Sequence, residues 1–344
     1  MKIALIRPNL GDYRASDAMA PLGLGILAAR SAGHQVRLFD ERIETLPDDL
    51  GADLAALTVE TFTARRAYRI ADRLRARGIP VVMGGYHSSL LPEEAAAHAD
   101  AVVVGDAEGV WETLLDDAAA GRLVPRYTAD HRRPLDDYRI DRSIFVGRRY
   151  APVELIQYTR GCRFVCDFCS IHRFYDRAVR ARPLAGLVAE LASLPAKKLL
   201  FFVDDNLFND RDTLTRLLDA IAPLRRRWAC QISIDVARDP LLLDRLAAAG
   251  CRFVLIGFES LDDDNLRQMG KPWNRVSGDY RSVVRALHAR GIGIYGTASK
   301  RHALVRLGSG NTRRSRWATV WMAALSQRSQ TLNCAIRRAA GCWP

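Results

Sequence analysis

Short apolar runs alternate with amphipathic stretches through the first 120 residues. The runs predict strands at KIALI (2–6), QVRLF (35–39), DLAALT (53–58), PVVMG (80–84) and AVVVG (101–105). The stretches between them predict helices over 21–33, 64–78, 92–99 and 108–121. Strands that alternate with helices indicate a parallel, doubly wound α/β sheet. We therefore predict a first domain over residues 1–121, with its ligand beyond the carboxyl ends of the strands.

A second series of the same kind begins after a polar stretch. Residues 122–151 contain prolines, lack periodicity and are predicted to be a linker. The strands that follow are predicted at 153–159, 198–204, 229–235, 253–259 and 291–297, with helices at 183–194, 211–224, 240–250 and 277–291. This order predicts a partial (β/α) barrel of the TIM type over 152–297. The active site of such a barrel lies at the carboxyl ends of its strands.

Three cysteines cluster directly after the first strand of this second series. RGCRFVCDFCSIHRF (160–174) places Cys162, Cys166 and Cys169 in a C-x3-C-x2-C spacing, and the next cysteine is Cys230. A structural zinc site needs four ligands, whereas three thiolates on a cubane cluster leave one iron open to a small molecule. The spacing therefore favours a [4Fe-4S] cluster, partly shielded from water by Phe164 and Phe168. Zinc, or a loop without metal, is the alternative.

Other residues suited to ligand binding also follow predicted strand ends. In the second series they are predicted to converge with Cys162, and they are Asp204, Asp205, Asp235 and Glu259. In the first series, glycine-containing turns at Gly84–Gly85 and Gly105 lie at the corresponding ends. Glycine in such a turn allows close approach of a ligand to the backbone.

Composition and charge narrow the class of protein. The 344 residues carry a net charge of +12, which by itself suggests nucleic acid. Nine of the 51 basic residues and none of the 39 acidic ones lie in 298–344, so the remainder carries only +3. No apolar run is long enough for a membrane span, and MKIALIRPNL is interpreted as a first strand rather than a signal peptide. We expect a cytoplasmic protein with reduced thiols.

The cysteine spacing after the first barrel strand resembles that of the radical S-adenosylmethionine (radical SAM) superfamily. The resemblance implies that the three cysteines bind a [4Fe-4S] cluster and that SAM chelates its fourth iron. One electron then cleaves SAM to methionine and a 5′-deoxyadenosyl radical, which abstracts a substrate hydrogen. Phe168 matches the aromatic residue before the last cysteine, whose backbone lies near the adenine. The implied partners are a small-molecule substrate and a reductant such as flavodoxin or ferredoxin.

Three further segments resemble strands of that family. LFFVDDNLFND (200–210) resembles the segment that contacts the SAM amino group, which implies Asp204, Asp205 and Asn206; a carboxylate suits an ammonium by charge attraction. CQISIDVARDP (230–240) and FVLIGFESLDDDNLRQMGK (253–271) imply further SAM contacts, at Ser233, Asp235, Glu259 and Ser260. Solvated strand ends or helix caps are the alternative, which we favour for Asp210 and Asp239.

The order of a doubly wound sheet and then a radical SAM barrel resembles the cobalamin-binding members of the family. The matching stretches are 21–40 and 81–117. The resemblance implies that the sheet domain holds the nucleotide tail of cobalamin, with candidate contacts at Thr58, Thr61, Gly84, Gly85, His87 and Gly105. The D-x-H-x-x-G motif that supplies a histidine ligand to cobalt in many B12 proteins is absent. A relic domain or a substrate module is the alternative.

The resemblance extends over about residues 1–297 and predicts an enzyme. It implies cobalamin-dependent methyl transfer, with a radical SAM cyclase or oxidoreductase, or a catalytically degenerate cluster-binding protein, as alternatives. Residues 298–344 lose all acidic residues and hold three of the six tryptophans. This composition indicates a frameshifted or replaced end, an incomplete barrel and impaired turnover. A basic tail that binds nucleic acid is the other interpretation, which the balanced charge of the body does not favour.

Overall fold

A computed structural model describes residues 1–11, 13–275 and 280–298, which divide into two compact units. The first unit contains residues 1–151 and 170–182, and the second contains 152–169 and the described residues from 183 onward. The predicted tail lies outside the described residues apart from Ala298. The first three residues of the helix predicted at 277–291 lie outside them as well. Among the described residues, no helix combines the length and apolar character that crossing a membrane requires.

The first unit is built on a six-stranded parallel sheet. Its chain order is β1 (Lys2–Arg7), α1 (Leu22–Ala29), β2 (Gln35–Asp40), β3 (Leu54–Thr58), α2 (Ala64–Arg75), β4 (Val81–Gly84), α3 (Tyr86–Leu90), α4 (Pro92–Ala96), β5 (Ala101–Val104), α5 (Trp111–Ala119) and β6 (Arg126–Thr128). The strand order in the sheet is β2-β1-β3-β4-β5-β6. The prediction of a parallel, doubly wound sheet is confirmed.

Both faces of this sheet are buried, which explains why its strands are continuous apolar runs. Along β1, Ala4 and Ile6 belong to a core cluster that includes residues of α2. Ile3 and Leu5 point the other way, into a cluster with residues of α1 and α5. The helices therefore lie on opposite faces, and β3, β4 and β5 have their carboxyl ends at the same end of the sheet.

The structure differs from the predicted linker over 122–151. This stretch belongs to the first unit, and its strand β6 pairs with β5, with Tyr127 opposite Val103. Tyr127 is buried between Arg126 and Thr128, which are both exposed. A strand of three residues with one apolar side chain is too short to produce a periodic pattern, so the sequence did not indicate it.

The segment 170–182 was not assigned to any element from the sequence. It contains α6 (Ile171–Phe174) and the short strand β9 (Arg180–Ala181) and belongs to the first unit. Phe174 and Tyr175 are buried, and the Phe174 ring lies 4.4 Å from that of Tyr86 at the start of α3.

The second unit contains a five-stranded parallel sheet whose strands follow one another in chain order. Its elements are β7 (Val153–Ile156), β8 (Thr159–Arg160), α7 (Leu184–Ser193), β10 (Leu199–Phe202), α8 (Arg211–Ile221), β11 (Trp228–Gln231), α9 (Pro240–Ala248), β12 (Cys251–Glu259), α10 (Asp263–Gln268), α11 (Tyr280–His288) and β13 (Gly293–Ala298). The sheet order is β7-β10-β11-β12-β13. Sequential parallel strands joined by helices form the predicted partial barrel, over a core shared with α7, α8 and α9.

Two details of this unit bear on the site. The predicted strand 229–235 ends at Gln231, because the chain turns into a 3-10 helix over Ile234–Arg238. Asp210 and Asp239 are helix N-caps, as favoured from the sequence. Their carboxylates accept the backbone N–H of Thr213 at 2.7 Å and of Leu242 at 3.0 Å.

Candidate active site

The cysteine loop leaves the carboxyl end of β7 and spans residues 161–169. Cys166 is buried, and Cys162 and Cys169 are partly exposed; none is in a disulfide. The N–H of Cys169 donates to the carbonyl of Cys166 at 3.0 Å, which closes a tight turn between the last two cysteines. The loop therefore brings three thiols to the end of the sheet at which a barrel enzyme binds its ligands.

Asp204, at the end of β10, anchors the chain that enters this loop. Its side chain is 1% exposed, and its two oxygens accept the backbone N–H groups of Tyr158 and Thr159 and, at 2.7 Å, the Thr159 hydroxyl. Burial raises its pKa to about 6 despite these hydrogen bonds. The next carboxylate, that of Asp205, accepts the N–H of Gly161 at 2.8 Å. Both acids thus hold the residues that precede Cys162.

Two buried asparagines continue this support. Asn209 accepts the N–H of Arg163 at 3.0 Å and donates to the carbonyl of Gly161 at 3.3 Å. Asn206 accepts the N–H of Ser233 at 3.0 Å, so it ties the end of β10 to the end of β11. The predicted contacts of Asp204, Asp205 and Asn206 with SAM stay predictions; in this structure these side chains organise the cysteine loop.

An aromatic stack covers one side of the loop. The Phe164 ring lies 3.6 Å from the ring of Trp273 and nearly parallel to it, and the Arg163 guanidinium lies 4.7 Å from the Phe164 centroid. Phe164 is therefore placed to exclude water, as predicted. Phe168 is 55% exposed, so its ring does not give the predicted shielding in this structure.

Lys271 lies beside the same loop and pairs with Glu259. Its Nζ is 3.0 Å from a Glu259 carboxylate oxygen, with both side chains largely buried, and 5.9 Å from the centroid of Phe168. Glu259 has φ of +58°, and the pair folds back over Gly257, where a Cβ would lie 2.3 Å from the Glu259 carboxylate. Any side chain at Gly257 would displace this pair. The hydroxyl of Ser260 accepts the N–H of Asp262 at 3.0 Å.

The segment after the carboxyl end of β11 also holds polar atoms without a hydrogen-bond partner among the described residues. Within the described residues, Ser233 Oγ and Asp235 Oδ1 are buried without a hydrogen bond, while the other oxygen of Asp235 pairs with Arg163. Burying an unpaired polar atom costs roughly 1–3 kcal/mol. These atoms could accept hydrogen bonds from a polar ligand in this position. The predicted roles of Ser233 and Asp235 stay predictions.

The thiols fit a cluster better than a single metal ion. Over residues 1–11, 13–275 and 280–298, no three His, Cys, Asp or Glu side chains converge as one metal ion requires. Zinc needs such convergence, whereas in a cubane each thiolate binds a different iron. Cys230 and Cys251, the other cysteines in the described part of the chain, are fully buried and in contact with each other. The role of Cys162, Cys166 and Cys169 as cluster ligands stays a prediction.

Burial favours the protonated form of the Cys162 and Cys166 thiols. Burial raises the pKa of the Cys162 thiol and raises that of Cys166 to about 11, where the neighbouring cysteines add to the effect. Iron binds the thiolate, so cluster assembly must release these protons. Without metal, the site is therefore biased toward the neutral, unreactive form.

We expect cluster assembly to be faster at higher pH. Raising the pH from about 7 to 9 increases the thiolate fraction of Cys162 and Cys166. The increase is up to about tenfold per pH unit as long as the pH is below the pKa of the thiol. Anaerobic reconstitution with iron and sulfide, followed by the charge-transfer absorbance of the cluster, measures this rate. A rate that is the same at pH 7 and 9 would contradict the assignment of buried thiols as ligands.

The predicted cobalamin contacts gather at the carboxyl edge of the first unit's sheet. Thr58 ends β3 beside Gly84, its partner in β4. Gly85 has φ of +99°, and a Cβ there would lie 2.9 Å from the carbonyl oxygen of Val59, so the turn requires glycine. Thr61 is exposed in a 3-10 turn just beyond β3.

His87 and Gly105 pack against the protein itself. The buried His87 ring places Nε2 2.7 Å from the Tyr68 hydroxyl and Nδ1 3.4 Å from Thr61 Oγ1. Gly105 follows β5 with φ of +88°, and a Cβ there would lie 3.0 Å from the ring of His131. The roles of all six candidate residues toward cobalamin stay predictions.

Sequence reasoning missed several residues that shape the site. The most important lie next to the cysteine loop, and they are Arg163, Asn209, Lys271 and Trp273. Asparagine is rarely buried, but its burial at position 209 is visible only in the fold. Trp273 follows Gly270 and Pro272, which end a helix, so the sequence marks a turn there without indicating what the ring contacts.

Family models match both parts of the chain. A B12 binding domain matches residues 17–115, and the radical SAM superfamily matches residues 156–299. The first match covers β2 to β5, including Thr58 and Gly84, and the second covers the cysteine loop and the strands from β8 to β13.

Curated relatives show the same combination. Bacteriochlorophyllide d C-12(1)-methyltransferase from Chlorobaculum tepidum is 34% identical over 311 residues, which cover 86% of this chain and 68% of that protein. The C-8(2)-methyltransferase from the same organism is 33% identical, over 80% of this chain and 65% of that protein. Hopanoid C-2 methylase from Rhodopseudomonas palustris is 27% identical, over 78% of this chain and 54% of that protein. The matches thus span between about half and two thirds of these relatives.

Solved structures share the fold. The radical SAM methyltransferase TsrM from Kitasatospora setae, with cobalamin and a [4Fe-4S] cluster bound, has a TM-score of 0.66 at 19% identity, over 86% of this chain and 69% of that one. The cobalamin-dependent SAM radical enzyme OxsB has a TM-score of 0.67 at 15% identity, over 86% of this chain and 49% of that one. The chain therefore belongs to the radical SAM superfamily of enzymes and, within it, to the members that carry an N-terminal B12-binding domain.

Proposed function

We propose that this enzyme binds a [4Fe-4S] cluster, SAM and cobalamin and transfers a methyl group to an unactivated position of a small-molecule substrate. The observation that carries the proposal is the loop with three cysteines and no fourth, at the carboxyl ends of a parallel sheet. Its similarity to relatives named as methyltransferases supports the methyl-transfer outcome.

The chain's own residues would have separate roles in holding the cofactors. Cys162, Cys166 and Cys169 hold the cluster, which when bound supplies the single electron that SAM cleavage needs, while cobalamin supplies the methyl carrier. Asp204 and Asp205 fix the start of the loop, so the thiols are presented together.

The unpaired atoms Ser233 Oγ and Asp235 Oδ1 are the proposed polar contacts for SAM. The paired Glu259 and the exposed Phe168 stay candidates for its ribose and adenine, respectively. At the sheet edge of the first unit, the turn at Gly84 and Gly85 is the proposed cradle for the cobalamin tail.

Two further parts of the proposal concern the setting of the enzyme. Members of this superfamily generally need an external electron donor, and we propose a low-potential protein such as flavodoxin or ferredoxin. Three clustered cysteines without a disulfide suit a reducing compartment, so we propose that the enzyme acts in the cytoplasm.

The test is to reconstitute the protein without oxygen, load it with cobalamin, reduce it, add SAM and quantify two products by chromatography. S-adenosylhomocysteine together with 5′-deoxyadenosine supports methyl transfer. The variant with alanine at 162, 166 and 169 is the control, and equal amounts of 5′-deoxyadenosine from both proteins would overturn the proposal.

A second candidate function is a radical cyclase. The anaerobic magnesium-protoporphyrin IX monomethyl ester cyclase of Rubrivivax gelatinosus is 27% identical over 67% of this chain. In the same assay, 5′-deoxyadenosine without S-adenosylhomocysteine would favour this outcome.

A further inference from the structure

A cavity of about 730 Å³ lies within the first unit, beside the segment 170–182. All of its lining residues belong to that unit, and they are Arg132, His172, Arg173, Asp176, Arg177, Ala178, Val179 and Arg180. Its volume is in the range of pockets that bind small molecules. None of the predicted cysteine, SAM or cobalamin contacts lines it, so the proposed function leaves it unassigned.

The charge of the lining is strongly unbalanced. It contains four guanidinium groups and one carboxylate, that of Asp176, which pairs with Arg132 at 3.3 Å. Arg180 pairs with Asp106 at 2.6 Å. Within the described part of the chain, neither Arg173 nor Arg177 has a side-chain ion pair or hydrogen bond. The cavity therefore presents two uncompensated positive charges.

Buried polar atoms indicate that this is more than an exposed basic surface. The Arg180 side chain is only 9% exposed, and its Nε is buried without a hydrogen-bond partner among the described residues. The same is true of His172 Nδ1. Leaving such atoms unpaired costs roughly 1–3 kcal/mol each. Two of them on the wall of one cavity suggest a ligand that supplies hydrogen-bonding atoms.

The wall is also held in a defined shape. Arg177 has φ of +60°, a conformation that non-glycine residues seldom adopt, and its N–H donates to the carbonyl of His172 at 3.0 Å. Phe174 and Tyr175 are buried beneath the same turn. This turn fixes the backbone that carries both uncompensated guanidinium groups.

We propose that this cavity is a binding site for an anionic small molecule, held through its phosphate or carboxylate groups by Arg173 and Arg177. The terminal nitrogens of Arg180 already bind Asp106 and the carbonyl of Arg133, so Arg180 contributes only its unpaired Nε to this wall. Guanidinium groups bind such oxyanions through paired, charge-assisted hydrogen bonds. His172 is the neighbouring polar contact. The site goes beyond the proposed function and is testable without SAM cleavage, because it is measured as binding.

The test uses the full chain with inorganic pyrophosphate and citrate as probes, measured by calorimetry at low ionic strength. We expect the R173E/R177E variant to bind at least about tenfold more weakly than wild type, because both attractive charges become repulsive. The matched control is R65E/R69E, which makes the same charge change at two exposed arginines on α2. The R173K/R177K variant keeps the charge but loses the paired hydrogen bonds, so it is expected to bind more weakly than wild type and more tightly than R173E/R177E. Circular dichroism checks the fold of each variant.

Repeating the titration with cobalamin-loaded protein distinguishes two sources of the anion. Unchanged pyrophosphate binding assigns the cavity to a free anionic molecule, such as the substrate. Competition by cobalamin that disappears in R173E/R177E assigns it to the phosphodiester of cobalamin. Failure of wild type to bind either probe, or an equal loss in R65E/R69E, would overturn the proposal.

Discussion

Replacement of Cys166 by alanine is expected to remove the iron–sulfur absorbance of the reconstituted protein and to reduce 5′-deoxyadenosine formation by roughly 100-fold or more. Of the three cysteines, Cys166 is the buried one. Cys162 and Cys169 lie on the same short loop. With only two thiolates, the loop cannot hold a cubane and also leave a single iron for SAM. Absorbance, iron content and product yield measure the effect.

The matched control is the C230A/C251A variant. Both thiols are fully buried in the core between β11 and β12 and contact each other rather than the loop. Their loss is expected to lower stability by about 1–3 kcal/mol, because small cavities remain, while iron content stays at the wild-type level. If C166A retained the cluster and C230A/C251A lost it, the assignment of the ligands would be wrong.

The parts of the fold that were predictable from the sequence are those with long, buried strands. The runs at 2–6 and 53–58 became β1 and β3 almost to the residue, because strands that are buried on both faces are almost continuously apolar. The short elements were not predictable. In β6 and in the segment 170–182, order comes from contacts with distant residues, such as the pairing of Tyr127 with Val103 and the packing of Phe174 on Tyr86.

In the candidate site, too, some features were predictable from the sequence and others were not. The three cysteines could be proposed as cluster ligands from the sequence alone, because their spacing is contained in one loop. The direction in which a side chain at a strand end points was not predictable from the sequence. Asp204 follows β10 as predicted, but its oxygens face Tyr158 and Thr159 on the preceding strand connection, not open space. Sequence places a residue at the end of a strand, whereas its hydrogen-bond partners depend on the neighbouring strand.

The orientation of the Asp204 carboxylate predicts a large effect of the D204N variant on stability. Asparagine keeps one acceptor oxygen but turns the other position into an NH2 group, which would face buried N–H or O–H donors of Tyr158 or Thr159. We expect a loss of unfolding free energy on the order of 2–4 kcal/mol, because at least one buried donor loses its acceptor. Since these donors lie just before Cys162, cluster content after reconstitution is expected to fall as well.

The control for D204N is D210A, which removes the exposed N-cap of α8 from the same segment. It is expected to cost about 1 kcal/mol and to leave cluster content unchanged. Equal cluster content in D204N and D210A would show that Asp204 is only one stabilising residue among others and does not position the loop.

The pH dependence of stability gives an independent measure of Asp204. Its pKa is raised to about 6 by burial, above the ordinary value of 3.8, so the folded protein binds this proton more tightly than the unfolded chain does. The contribution of Asp204 to stability therefore grows as the pH falls from above 6 toward 4, by at most about 1.4 kcal/mol per pH unit. Urea unfolding of cluster-free wild type and D204N is expected to show a larger difference at pH 5 than at pH 7.5. A difference that shrinks at pH 5 would mean that the hydrogen bonds from Tyr158 and Thr159 outweigh the cost of burying the charge.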